Sequence, residues 1–183
     1  MSLKDWLSRR KTESITLEKV EVQWLGVKGT WVADRAQQEG AWKLYVELIT
    51  RVSVQPLKPG EGLLREALTS LYILFAETRT ILKEHGPRVA MPLHGGTLSL
   101  GQIAVTVLNS RLRPFLAKWH PMLESYEANR PPSVSPSDHE NAWTHARDLR
   151  DELESLRHDI IEYADLLARA SGIQSIHSGA KKK

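Results

Sequence analysis

Along this chain, apolar residues recur at three- and four-residue steps from residue 34 onward and at two-residue steps only before it. Leu17, Val20, Val22 and Trp24 contain a short period-two stretch, and Gly26 and Gly29 bracket a turn before Thr30, Trp31 and Val32. This pattern predicts an extended arm or a small β-hairpin. Two strands alone are marginal in water, so the segment must lie against the body of the protein or against another chain.

The remaining pattern predicts helices. Asp34 and Gln37 have the spacing of a capping pair, and Trp42, Tyr45, Ile49 and Val52 line a first helix that ends before Pro56 and Pro59. A second helix starts near Gly60 and Glu61 and carries the stripe Leu64, Ala67, Leu68, Leu71, Phe75, Thr78 and Leu82, with a stop at His85-Gly86-Pro87. Ser99 and Gln102 open a third, lined by Ile103, Val107, Leu108, Leu112, Phe115, Trp119, Met122 and Tyr126; it should kink at Pro114 and break near Pro121. A fourth starts at Ser135 as N-cap, with Pro136 at its first position and Asp138 in its first turn. It continues through Ala142, Ala146, Leu149, Leu153, Leu156, Ile160, Tyr163 and Leu167 to a stop at Gly172, with Asp148, Glu152, Arg157, Asp159 and Glu162 forming the opposite, solvated face. The fold class expected is all-α: an antiparallel four-helix bundle over residues 34–173, preceded by the arm or hairpin of residues 1–33 and followed by a flexible basic tail from 174 to 183.

Composition narrows the classes of function. The 183 residues, 41% of them hydrophobic, suffice for one domain with a real core. A net charge of +3, part of it from Lys181-Lys182-Lys183, gives no electrostatic footprint for nucleic acid, which is not expected as a partner. The absence of cysteine excludes disulfides, thiolate metal sites and cysteine nucleophiles, and is compatible with the reducing cytoplasm taken as the location. No apolar run has the length of a membrane span. The start, MSLKDWLSRRK, lacks a signal-peptide core; its Leu3, Trp6 and Leu7 suit a short amphipathic turn that rests weakly on an anionic membrane or docks on a partner.

Candidate chemistry is sparse. Arg113 and His120 lie seven apart, close to the R-x4–6-H pair of HEPN-like endoribonucleases, in which the histidine handles protons and the arginine steadies phosphate charge. At about 100° per residue the pair sits about 130° from the core line through Leu108, Leu112, Phe115 and Trp119, so it faces outward or into a subunit interface. Pro114 stands where that family has a polar residue, and the motif falls on the third helix instead of near the last. Glu154, His158 and Glu162 share a helix face at four-residue steps, but bundle metal sites use Glu-x-x-His pairs from two helices, and surface pairing with Arg150 and Arg157 explains them better. No metal and no cofactor is expected. LHGGTLSLGQ (93–102) puts two glycines before a helix start without the lysine of a phosphate-binding loop, which reads as a connection. Six tryptophans are the remaining oddity. Trp42, Trp119 and Trp143 fall on or near inward stripes, whereas Trp24 and Trp31 either cap the end of the bundle or, with Arg150, Glu154 and Arg157 on the outer face of the fourth helix, contact a partner.

AWKLYVELITRVSVQPL (41–57), LLREALTSLYILFAETRTILKEHGP (63–87), LNSRLRPFLAKWHPML (108–123) and EYADLLARASGI (162–173) together resemble a family of small helical bacterial proteins of uncharacterised function. Its members accompany conflict and antiviral genes, among them the accessory proteins of type III-E CRISPR loci. The resemblance implies a non-enzymatic adaptor or regulatory role in bacterial antiviral defence. It implies as partner another protein: a defence effector, a protease complex or a transcription regulator. Apart from the resemblance, a second copy in a homodimer is the other partner expected. The resemblance supplies no functional residues. The alternatives are an endoribonuclease using Arg113 and His120 and a sensor that binds a small ligand between the helices.

Overall fold

The computed structural model describes residues 18–24, 26–51 and 61–176. The amphipathic start with Trp6, the end of the first stripe at Val52, Pro56 and Pro59, and the terminal lysines lie outside the described residues. The chain is mostly helical and begins with a two-stranded antiparallel hairpin, β1 (Glu18–Trp24) and β2 (Val27–Ala33). Its register pairs Glu18 with Ala33 and Trp24 with Val27, and Gly26 at the turn has φ 77°, a conformation that glycine reaches without a steric penalty. The outer edge of β2 is closed by the 97–98 segment: Thr97 and Leu98 both donate their N–H to Thr30 O, at 2.8 and 3.0 Å. That approach needs Gly29, because a Cβ there would run into the Thr97 hydroxyl.

The helices are α1 (Arg35–Ile49), α2 (Leu64–His85), α3 (Leu100–Val107), α4 (Arg113–Glu127), α5 (Pro136–Asn141) and α6 (Ala146–Ala170). Asp34 caps α1 by accepting from Gln37 N, and Ser99 with Gln102 forms the expected reciprocal capping box on α3. Helix α1 packs against α2 and α6, α2 against α4, and the hairpin against α6. One continuous apolar core runs from Val20 and Val22 of the hairpin through all the long helices to Ala170. The hairpin is thus built into the core and is no detached arm.

Three expectations change. The buried face of α1 is Gly40, Ala41, Leu44, Tyr45 and Leu48, so Trp42, expected inside, is 45% exposed. The third helix does not break at Pro121; it holds a π turn, Leu108–Leu112, just ahead of Pro114. There Arg113 N–H bonds to Leu108 O, a five-residue step that absorbs the irregularity next to a proline, which cannot donate. The fourth helix is two elements. Ser135 caps the short α5, accepting from Asp138 N, and the chain then leaves the helix so that Trp143 is buried edge-on against Trp119. Ala142, expected on the seam, is exposed. The rest of the seam, Ala146 to Leu167, is buried as expected.

The break also frees Glu140 for a structural task. Helix α2 has no side-chain cap of its own; the buried Glu140 carboxylate accepts from Leu64 N (2.8 Å) and Arg65 N (3.1 Å). A carboxylate at a helix N-terminus satisfies free donors and meets the positive end of the dipole.

Candidate functional site

Trp31 is completely buried, and its indole Nε1 donates to Gln37 Oε1 at 2.6 Å. The same oxygen accepts from Leu100 N, and Gln37 Nε2 donates to Met91 O. Trp31 therefore joins hairpin, α1 and α3 inside the protein and offers no surface to a partner. Trp24 differs. It is half-buried and stacks on Tyr163 of α6, ring centroids 5.7 Å apart and nearly parallel.

Trp24 opens onto a cleft of about 940 Å³. Four consecutive residues of β1, Glu21–Trp24, form one wall; Glu162, Asp165, Leu166 and Arg169 of α6 form the other, and residues 173–176 close the end. Residues 174–176, expected in the flexible tail, line the cleft, and Ile176 N donates to Tyr45 Oη at 2.8 Å. The indole Nε1 of Trp24, Oδ1 of Asp165 and Oγ of Ser175 are buried here without a hydrogen-bond partner. Such groups are costly to leave unmatched and are normally paired. Beneath the cleft the Tyr163 hydroxyl is also unpaired, and burial pushes it well above the usual phenol range.

The outer face of α6 leads into this cleft. Glu154, His158, Glu162, Asp165 and Arg169 follow one another at four- and three-residue steps and so share a stripe. Arg157 forks onto Glu154 at 2.7 and 2.5 Å, and His158 lies 3.3 Å from the same carboxylate. The Arg157 hydrogen bond holds the Glu154 carboxyl below its ordinary range. Arg150 turns away and donates to Glu61 O at 3.3 Å, which ties it to the segment before α2. Two residues of the solvated face also bind neighbouring elements: Glu152, exposed as expected, accepts from Lys118 and from Trp119 Nε1 (2.7 Å), and the half-buried Asp159 pairs with Arg111 at 3.0 Å.

Arg113 and His120 both lie on the flank of α4 that meets α2, but with separate partners. Arg113 donates to Asn109 Oδ1 and lies over the Phe75 ring at 5.6 Å. His120 has Nε2 3.3 Å from Arg65 Nη1 and its ring 6.0 Å from Tyr72; Arg65 is itself clamped by Glu127 at 2.5 and 2.8 Å. Nothing on that flank directs both groups at one point. Among the described residues no cluster of histidine and carboxylate side chains could hold a metal ion, and no helix is long and apolar enough to cross a membrane.

Sequence reasoning singled out Trp24 and the α6 face but did not name Asp165, Ser175 or the cleft that these residues line. The signal available was Asp165, an acid set among the buried apolar residues Ala164, Leu166, Leu167 and Ala168 in the last turns of α6. No protein-family model, curated protein or solved structure matches this chain.

Proposed function

We propose that this protein is a non-enzymatic interaction module, an adaptor or regulatory accessory protein of bacterial antiviral defence, built on an antiparallel four-helix bundle. The partner is another protein, engaged by Trp24, Glu154 and Arg157 along the α6 stripe and its terminal cleft. The observation that carries this reading is the set of buried, unmatched polar atoms at Trp24, Asp165 and Ser175, in a cleft of mixed apolar and charged lining at the end of a charged stripe. A central, dry anchor bordered by solvated charges is the usual composition of a protein-binding patch. The defence setting rests on the sequence resemblance.

Size-exclusion chromatography of the tagged chain from its host, with mass spectrometry of the co-migrating species, tests the reading. The wild type is expected to migrate with a stoichiometric protein partner. Glu162→Lys, an exposed change that keeps the helix, is expected to lose that partner. A chain that runs alone, or a complex indifferent to Glu162→Lys, overturns the proposal.

A further inference from the structure

We infer that the cleft takes an extended, basic segment of the partner, which adds to the hairpin as a third strand along β1. This rests on the interaction-module reading and names the chemistry of the partner at the same site. Successive strand residues point to opposite faces, so a pocket over one face would touch every second residue. This cleft touches Glu21, Val22, Gln23 and Trp24 in succession, which means that it follows the strand's edge. β2 is paired on both sides, with β1 and with the 97–98 segment. Among the described residues β1 has a strand neighbour on one side only. An uncovered strand edge is a template for another chain's main chain.

Charge selects the segment. Glu21 is already engaged, by the Thr30 hydroxyl at 3.0 Å and by Lys19 at 3.8 Å. Among the described residues, Glu162 and Asp165 then outnumber the one lining cation, Arg169. Asp165 and Trp24 line the cleft and each holds a buried polar atom without a partner, so a small shift of these two side chains lets Asp165 accept from a lysine or arginine side chain and Trp24 Nε1 donate to a peptide carbonyl. A polyamine would satisfy the first and not the second. A peptide satisfies both and places aliphatic side chains against Val22, Leu166 and Ile173.

A positional-scanning hexapeptide library presented to the purified full-length chain tests this. We expect Lys or Arg to be favoured several-fold over Asp or Glu at one position, with Val or Ile two residues away. Asp165→Asn should weaken the selected peptide about tenfold, with circular dichroism unchanged. N-methylation of alternate amides, which removes strand pairing and keeps the side chains, should abolish binding. No enrichment, acidic enrichment, or full affinity after N-methylation or in Asp165→Asn overturns the inference. Enrichment that emerges only after removal of residues 1–17 or 177–183 assigns the cleft to the chain's own segment and also overturns it. If the library fails while Glu162→Lys still releases the host partner, the strand is wrong and the interaction module stands.

Discussion

Gln37 shows how much one buried amide can hold. Its carbonyl oxygen serves both the Trp31 indole and the first N–H of α3, and its NH₂ serves Met91 O. Gln37→Ala leaves two buried donors without an acceptor, each worth about 1–3 kcal/mol. A loss of about 3 kcal/mol is expected in urea unfolding; a change below about 1 kcal/mol would remove Gln37 from this role. Glu140 acts likewise on the start of α2, and Glu140→Ala should cost about 2 kcal/mol, read from the same midpoints. His120, 38% exposed and sharing Arg65 with Glu127, has no such burden. His120→Ala should shift stability by no more than about 0.5 kcal/mol and leave partner binding unchanged. Cleavage of RNA by the wild type that vanishes in this variant would restore the endoribonuclease alternative.

Among the elements, those whose information is local were legible from sequence. The caps at Asp34, Ser99 and Ser135 and the heptad seam of α6 each depend on residues a few positions apart. The face of α1 was misread because Trp42 offers far more apolar area than Gly40 and Ala41. The small residues are inside because α3 approaches closely: a Cβ on Gly40 would come within 2.7 Å of Leu100 Cδ2. The break before α6 was hidden because Ala142 fits the heptad phase, while the competing forces, burial of Trp143 and capping by Glu140, come from elements far away in sequence. Between α4 and α6, Glu152 carries a pH-dependent link. The Lys118 hydrogen bond, aided by Trp119, holds its carboxyl below the ordinary glutamate value against the opposing effect of burial. The unfolded chain therefore binds more protons in the window just below that value, so stability supplied by Glu152 is present above it and is lost as pH falls through the folded value. Glu152→Gln should accordingly lower the urea midpoint at pH 7 and make little difference at pH 3; an equal difference at both would contradict this assignment.

Across the whole molecule, the hairpin, α6 and residues 173–176 meet only in the folded state, which is why the cleft could not be read from any one stretch of sequence. Trp24 and the α6 face were visible separately, as an odd tryptophan and a charged helix surface. The fold brings Trp24 and the end of that face, Glu162, Asp165 and Arg169, around one cleft, and it takes Trp31 into the core and Arg150 onto Glu61. The most direct test of the account places a photo-crosslinking amino acid singly at Gln23, His158 and Glu162 around the cleft and stripe, and at the exposed Thr80 and Arg147 elsewhere. Irradiation in the host should join one and the same protein to the first three positions and not to the last two. Equal capture at all five, or capture at Thr80 and Arg147 alone, would contradict the assignment of this face as the partner surface.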